Sequence, residues 1–243
     1  MLTSEVCKVE LLEVMGTDLD VANAARVSFN KESEYDFTPC RYEEEDEHGT
    51  WYTQKLKDTD AKLIKYLANH DHWSPFAQVY LKFRVKAPIA VARQLQKHTV
   101  GGAWNEVSRR YVSYTPEIFN PTDWRAKAAN KKQGSSDQRI ELERGHVFDE
   151  HEDLTCYEHA VHACLDAYED LLRQGVCEEQ ARFVLPQGAT TEWIWSGSLA
   201  FFLRVVKLRT DPSSQLETRA VAAKIESTLR SSFPVSASAF LDK

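Results

Sequence analysis

A chain of 243 residues with 42% hydrophobic and 28% charged side chains has the makeup of an ordinary globular protein able to bury a substantial core. Its formal charge of −7 argues against a generic nucleic-acid binder, which needs a dominant basic face, and no apolar run approaches the length of a membrane span. The segment Met1–Glu10 lacks a signal-peptide core, and five scattered cysteines (Cys7, Cys40, Cys156, Cys164, Cys177) read as reduced thiols in a cytoplasmic protein.

Taken in chain order, Lys8–Met15 reads as an opening strand, and Gly16 and Asp18 lead into a helix over 19–29. Residues 31–58 read as an exposed insertion, a hairpin tip around the acidic run Glu43-Glu44-Glu45-Asp46-Glu47, with Trp51 and Tyr52 returning to the body. A helix is expected over 60–69. Val79–Lys86 alternates apolar and polar side chains with period two, a half-buried strand with one polar face. Pro88 suits a helix first turn, and a helix is expected over 89–98, ended by Gly101-Gly102. Residues 115–150 are polar and read as a mobile excursion outside the core. Helical patterns follow over 154–173, 178–185, 196–208 and 213–233. The expectation is one α+β domain spanning 1–243, an antiparallel sheet flanked by helices.

The densest chemistry lies in Arg93-Gln94-Leu95-Gln96-Lys97-His98, followed across two glycines by Trp104-Asn105-Glu106-Val107-Ser108-Arg109-Arg110-Tyr111. On a helix Arg93 and Lys97 fall one turn apart, as do Gln94 and His98. Cations for phosphate, amides for a base edge and aromatic faces for stacking suit a planar anionic ligand. A basic pocket inside an acidic protein focuses the field on such a ligand. Glycine-loop nucleotide signatures are absent, so a dinucleotide would bind outside a Rossmann framework. Cys156, His159 and His162 stand at helical spacing with His146 and His151 nearby, but they match no standard zinc pattern and read as a solvated helix face, so no metal is expected. His72 and Ser74 lie in a dense turn before the strand, and Arg182 and Arg209 read alone as helix-end cations.

Six ordered blocks resemble the flavin-dependent thymidylate synthases, the ThyX family. They are Val-x-x-Ala-Ala-Arg-Val-Ser-Phe at 21–29, His-x-Ser-Pro-Phe at 72–76, Val-Lys-Ala-Pro-Ile-x-Val-Ala-Arg-Gln at 85–94, Asn-Glu-Val-Ser-x-Arg-Tyr at 105–111, Ala-Arg-x-Val-Leu-Pro at 181–186, and Leu-Arg-x-Asp at 208–211 with Gln215 and Glu217. The resemblance implies a homotetramer with active sites between subunits, FAD held without a Rossmann fold, dUMP as acceptor, methylene-tetrahydrofolate as carbon donor and NADPH as reductant. Carried over by position, it places Gln94, Ser108, Arg110, Arg182 and Arg209 on dUMP, Arg209 also favouring ionisation of the uracil ring. Glu106 would sit between substrate and flavin. His72, Ser74, Lys97, His98 and Thr99 would contact FAD, with Lys97 also near the substrate and Ser198 and Arg204 on the flavin side.

The chain departs from the family pattern at several flavin-side positions. Where the family has Arg-His-Arg, then seven residues, then Ser, this chain has Lys97-His98-Thr99 and eight residues before Ser108. Ala77, Ser198, Ala200, Arg204 and Ser213 also differ from the usual residues. Loss of the planar guanidinium fork at Lys97 is not a conservative change. Three outcomes remain open at this point: thymidylate synthesis with a differently gripped flavin, a hydroxymethylase or methylase acting on dUMP or dCMP, and a non-catalytic nucleotide-binding protein.

Overall fold

The computed structural model describes residues 1–40, 51–129, 134–144 and 154–243; the acidic run 43–47, Lys131-Lys132-Gln133, His146 and His151 lie outside them. In chain order the elements are β1 (Leu2–Thr3), β2 (Lys8–Met15), α1 (Asp18–Arg26), β3 (Asp36–Cys40), β4 (Trp51–Lys55), α2 (Asp58–Asn69), β5 (Tyr80–Pro88), α3 (Ile89–Leu95), β6 (Gly102–Glu106), β7 (Ile118–Phe119), β8 (Trp124–Lys127), β9 (Ser135–Ile140), α4 (Cys156–Arg173), α5 (Glu178–Ala181), β10 (Thr190–Ser198), α6 (Leu199–Arg209), α7 (Leu216–Ser232) and α8 (Pro234–Leu241).

The framework is a four-stranded antiparallel sheet in the order β2-β5-β10-β6. The period-two pattern of β5 sorts as expected: Leu81, Phe83, Val85 and Ala87 are buried, while Lys82, Arg84 and Lys86 face outward and pair with Glu13, Glu10 and Glu117. β10 sets Trp193 and Trp195 on the buried face, with Trp195 opposite Phe83 on one side and Trp104 on the other. Against that face lies α6, buried on nearly all sides, whose Phe202 ring meets Phe83 at 5.0 Å and whose Phe201 meets Trp195 at 5.5 Å.

Several elements differ from the sequence reading. No strand was expected over 187–195, although Glu192-Trp193-Ile194-Trp195-Ser196 alternates as strictly as β5; consequently α6 begins at Leu199, with Ser198 capping it. The helix expected to reach His98 stops at Leu95, because Gln96 and Lys97 leave helical pairing in a turn. Gly101-Gly102 does not end that helix: Gly101 lies in a turn and Gly102 starts β6. Gly101 takes φ +89°, and a Cβ on Gly102 would come within 2.5 Å of the Phe201 ring. Thr155 and Glu158 form a capping box that fixes the start of α4. The segment 178–185 is one α-turn plus a 3-10 turn over Arg182–Val184; the helix expected over 213–233 is α7, and α8 follows from Pro234, where no helix was expected.

The two insertions carry hairpins, β3 with β4 and β8 with β9. The second is not wholly outside the core. Ile118 on β7 is fully buried with Val161, Leu165 and Ala189, and β7 pairs in parallel with β1.

Candidate active site

Three chain-distant segments meet at the carboxyl ends of α3 and α6. Arg209 closes α6 and donates from Nε to His98 Nε2 at 2.9 Å and from Nη2 to the carbonyl oxygen of Gln94 at 3.0 Å. His98 therefore receives at Nε2 as a neutral imidazole. Burial first, then the charges of Arg209 and Arg204, hold its pKa below the ordinary value. Burial likewise lowers the Arg209 pKa. Among the described residues two of Arg209's five N–H donors are committed, which leaves the rest of its fork for a ligand.

The Gln94 side chain is held on both ends. Its oxygen accepts from the Thr218 hydroxyl at 3.1 Å, and its nitrogen donates to Gln215 Oε1 and, at 3.4 Å, to the Ala90 carbonyl. Lys97 and Thr99 stand exposed on the turn that follows α3. Arg204 is exposed one and a half turns before Arg209 and donates to the Val100 carbonyl at 2.8 Å, tying that turn to α6.

A second group gathers around Glu179 on α5. Arg110 lies 3.7 Å from its carboxylate, and Arg182 donates to its backbone carbonyl at 3.2 Å. Ser108 accepts from the Arg110 N–H at 3.3 Å, which shapes the turn after β6. Among the described residues no hydrogen bond or ion pair joins this group to the Gln94–His98–Arg209 group. Glu106 ends β6, and its two carboxylate oxygens accept from the Trp104 indole N–H at 3.0 Å and the Thr191 hydroxyl at 2.7 Å. Trp104 is itself stacked on Trp193 with centroids 4.2 Å apart.

His72 and Ser74 lie elsewhere, on the rim of a concavity of about 950 Å³. Its walls include Arg26, Ser28 and Phe29 from the end of α1, Tyr66 from α2, and Trp73. Phe29, Tyr66 and Trp73 are all exposed there, gathering apolar surface around one concavity, the kind of patch that marks a ligand or partner site. Asp71 holds the left-handed conformation at φ +55° that turns the chain toward this rim. Ser198 differs from the other expected flavin-side residues: it is 5% exposed, and its hydroxyl accepts from the Phe201 N–H.

Trp104 was expected to offer its face to a planar ligand; its ring instead stacks on Trp193 while its N–H holds Glu106. No role was expected for Thr191, Glu179, Thr218, Arg26 or Ser28. Arg26 and Ser28 lay inside a quoted block, and Gln215 and Glu217 were visible as a spaced pair; Thr191, Glu179 and Thr218 carry no local signal and are joined only by folding. Among the described residues no cluster of three metal-capable side chains occurs and no helix is long and apolar enough to cross a membrane.

The family model described as thymidylate synthase complementing protein matches residues 10–235. The flavin-dependent thymidylate synthase of Thermus thermophilus is 35% identical over 96% of this chain and 74% of its own length. That of Kosmotoga olearia is 33% identical over 96% of this chain and 90% of its own. Among solved structures, the UMP/dUMP methylase PolB from Streptomyces cacaoi, bound with 5-Br dUMP, superposes with a TM-score of 0.77 at 26% identity, covering 99% of this chain and 97% of that one. With the match running through every strand of the sheet from β2 to β10, the chain belongs to the thymidylate synthase complementing protein family, the flavin-dependent thymidylate synthases.

Proposed function

We propose that this chain methylates dUMP to dTMP, with methylene-tetrahydrofolate as carbon donor, FAD as its flavin and NADPH as reductant. The observation that carries the reading is the meeting of Gln94, His98 and Arg209 from two helix ends, which leaves an arginine fork anchored on one edge and open on the other. Fixed N–H donors aimed at a ring carbonyl stabilise negative charge on a uracil ring and so raise the nucleophilicity of its C5. Keeping His98 neutral leaves that charge to Arg209 alone. Arg110 and Arg182 supply cations for the 5′-phosphate, which would displace the Glu179 carboxylate from Arg110, while Arg182 is held through Nε by the Glu179 backbone carbonyl.

The residues present suit a flavin. The concavity beside His72 and Ser74 has exposed aromatic faces for a tricyclic ring and hydroxyl and imidazole groups for its polar edge. A bound flavin supplies the reducing equivalents that convert the transferred methylene to a methyl group. Lys97 and Arg204, exposed on the turn after α3 and on α6, would balance the diphosphate, and Glu106, its carboxylate fixed by Trp104 and Thr191, would sit between substrate and flavin.

A homotetramer with sites completed between subunits is supported by two features of the single chain. The two arginine groups stand apart, and the edge strand β2 leaves Leu11, Leu12, Val14 and Met15 at 37–54% exposure around a bulge at Leu12. A reducing, cytoplasmic setting is supported by the free thiols of Cys7, Cys156, Cys164 and Cys177.

The test is mass spectrometry of nucleotides after incubation with FAD, NADPH, methylene-tetrahydrofolate and a mixture of dUMP, UMP and dCMP. A methyl gain on dUMP is expected. A hydroxymethyl product, or modification confined to UMP or dCMP, would overturn the reading.

A further inference from the structure

The hairpin β8–β9, inside the polar excursion, reaches the active site through one unbroken run of side chains. Arg125 on β8 donates from Nη2 to both carboxylate oxygens of Glu217, at 2.8 and 3.0 Å, and from Nε to Ser135 across the hairpin at 2.8 Å. Gln215 Nε2 donates to Glu217 Oε2 at 2.8 Å, Gln94 Nε2 donates to Gln215 Oε1, and Gln94 Oε1 accepts from Thr218. Glu217 is only 13% exposed. Burial alone would raise its pKa, but hydrogen bonds from Gln215, from its own backbone and from Arg125 outweigh burial and hold it below the ordinary value.

The two ends of this run are not interchangeable. An ionised carboxylate only accepts, and a guanidinium only donates, whereas a glutamine amide presents either end. Glu217 therefore demands the NH2 of Gln215, which turns the Gln215 oxygen toward Gln94, which in turn commits the Gln94 NH2 inward. With both N–H groups of Gln94 directed to Gln215 and Ala90, the group left for a ligand is the second lone pair of its oxygen. We infer that Glu217 is a positioning residue that acts through Gln215 to present Gln94 to the nucleotide as a hydrogen-bond acceptor, with Arg125 of the β8–β9 hairpin setting the direction of the run. The nucleotide group received there is then a donor, a ring N–H or a sugar hydroxyl. This inference rests on the reading of Gln94 as a dUMP-binding residue.

Glu217→Gln reverses the run. Arg125 still only donates, so it captures the oxygen of residue 217; the amide of 217 then takes the Gln215 oxygen, the Gln215 amide takes the Gln94 oxygen, and Gln94 shows the nucleotide an N–H. Moving the carboxylate one place, as Gln215→Glu with Glu217→Gln, restores an acceptor beside Gln94 and its original orientation. The dissociation constant of dUMP, measured by direct binding without turnover, is expected to rise at least about tenfold in the single variant, the loss of one hydrogen bond. In the double variant it should return to within about threefold of the parent, a recovery that a merely structural ion pair would not produce. Unchanged binding in Glu217→Gln, or failure of the double variant to recover while melting with the parent, would overturn the inference. A parent protein that does not bind dUMP would instead overturn the reading of the site. A crystal structure of the dUMP complex decides without any variant: an acceptor atom of the nucleotide nearest Gln94 Oε1 or Nε2 refutes the inference.

Discussion

Replacing Arg209 with alanine separates what the arginine does for the fold from what it does for the substrate. In the folded chain it makes two hydrogen bonds, to His98 and to the Gln94 carbonyl, both in a half-buried place at the end of α6. Each such bond is worth about 1 kcal/mol net, so the stability loss should be about 1–2 kcal/mol. For a chain of this size that lowers the melting temperature by roughly 3–6 °C. On the proposed function, the open part of the fork would meet the developing charge on the base. Removing a preorganised donor of that kind costs about 3–4 kcal/mol in the transition state, so kcat/KM should fall by about 10²–10³. The assay is dTMP formation under saturating methylene-tetrahydrofolate, alongside a thermal melt with and without nucleotide. The reasoning fails if turnover stays within about threefold of the parent, or if the melt falls so far that lost folding accounts for lost activity.

Three further outcomes follow from the geometry. Because His98 is neutral and its pKa depressed in the folded chain, the unfolded chain takes up the proton first on acidification; the stability this contributes is complete above about pH 6.5 and is lost as pH falls from there through the lower folded value. Melting temperature against pH should therefore flatten between about pH 5 and 7 in His98→Gln, and an unchanged slope would show that His98 does not titrate differently in the fold. Gly102→Ala forces a methyl into the Phe201 ring, an overpacking cost of about 1–3 kcal/mol that adding Phe201→Leu should relieve; a melt equal to the parent's refutes the close approach. Trp104→Phe keeps a ring for stacking on Trp193 but removes the N–H held by Glu106, so the stability loss should stay near 1 kcal/mol while turnover falls about three- to tenfold. Equal turnover would mean that Thr191 alone places the carboxylate.

Which parts of the molecule were legible beforehand follows from where the information lies. β5 was readable because a half-buried strand writes its two faces into alternate residues, and β2 was readable only as an apolar-rich run, most of which the fold leaves exposed; β10 carried the alternation of β5 around Trp193 and Trp195, unused because it adjoined a strongly apolar helix. α6 was readable from apolar content alone, and its start was not, since Ser198 serves both as the strand's last residue and as the helix cap. β6 was hidden because two glycines read as a break, when the left-handed backbone of Gly101 and the Phe201 ring beneath Gly102 explain them.

The sequence by itself determined two of the four strands of the central sheet, β2 and β5, the main helices and the residue types on which the chemistry depends, because periodicity and motif order are local properties of the chain. The tertiary structure alone decided that Arg209 meets His98 and Gln94 across more than a hundred residues, that Trp104 and Thr191 share Glu106, and that Arg125 reaches Gln94 by way of Glu217 and Gln215. A hydrogen bond fixes direction as well as contact, and which end of an amide faces a ligand depends on partners that only folding assembles.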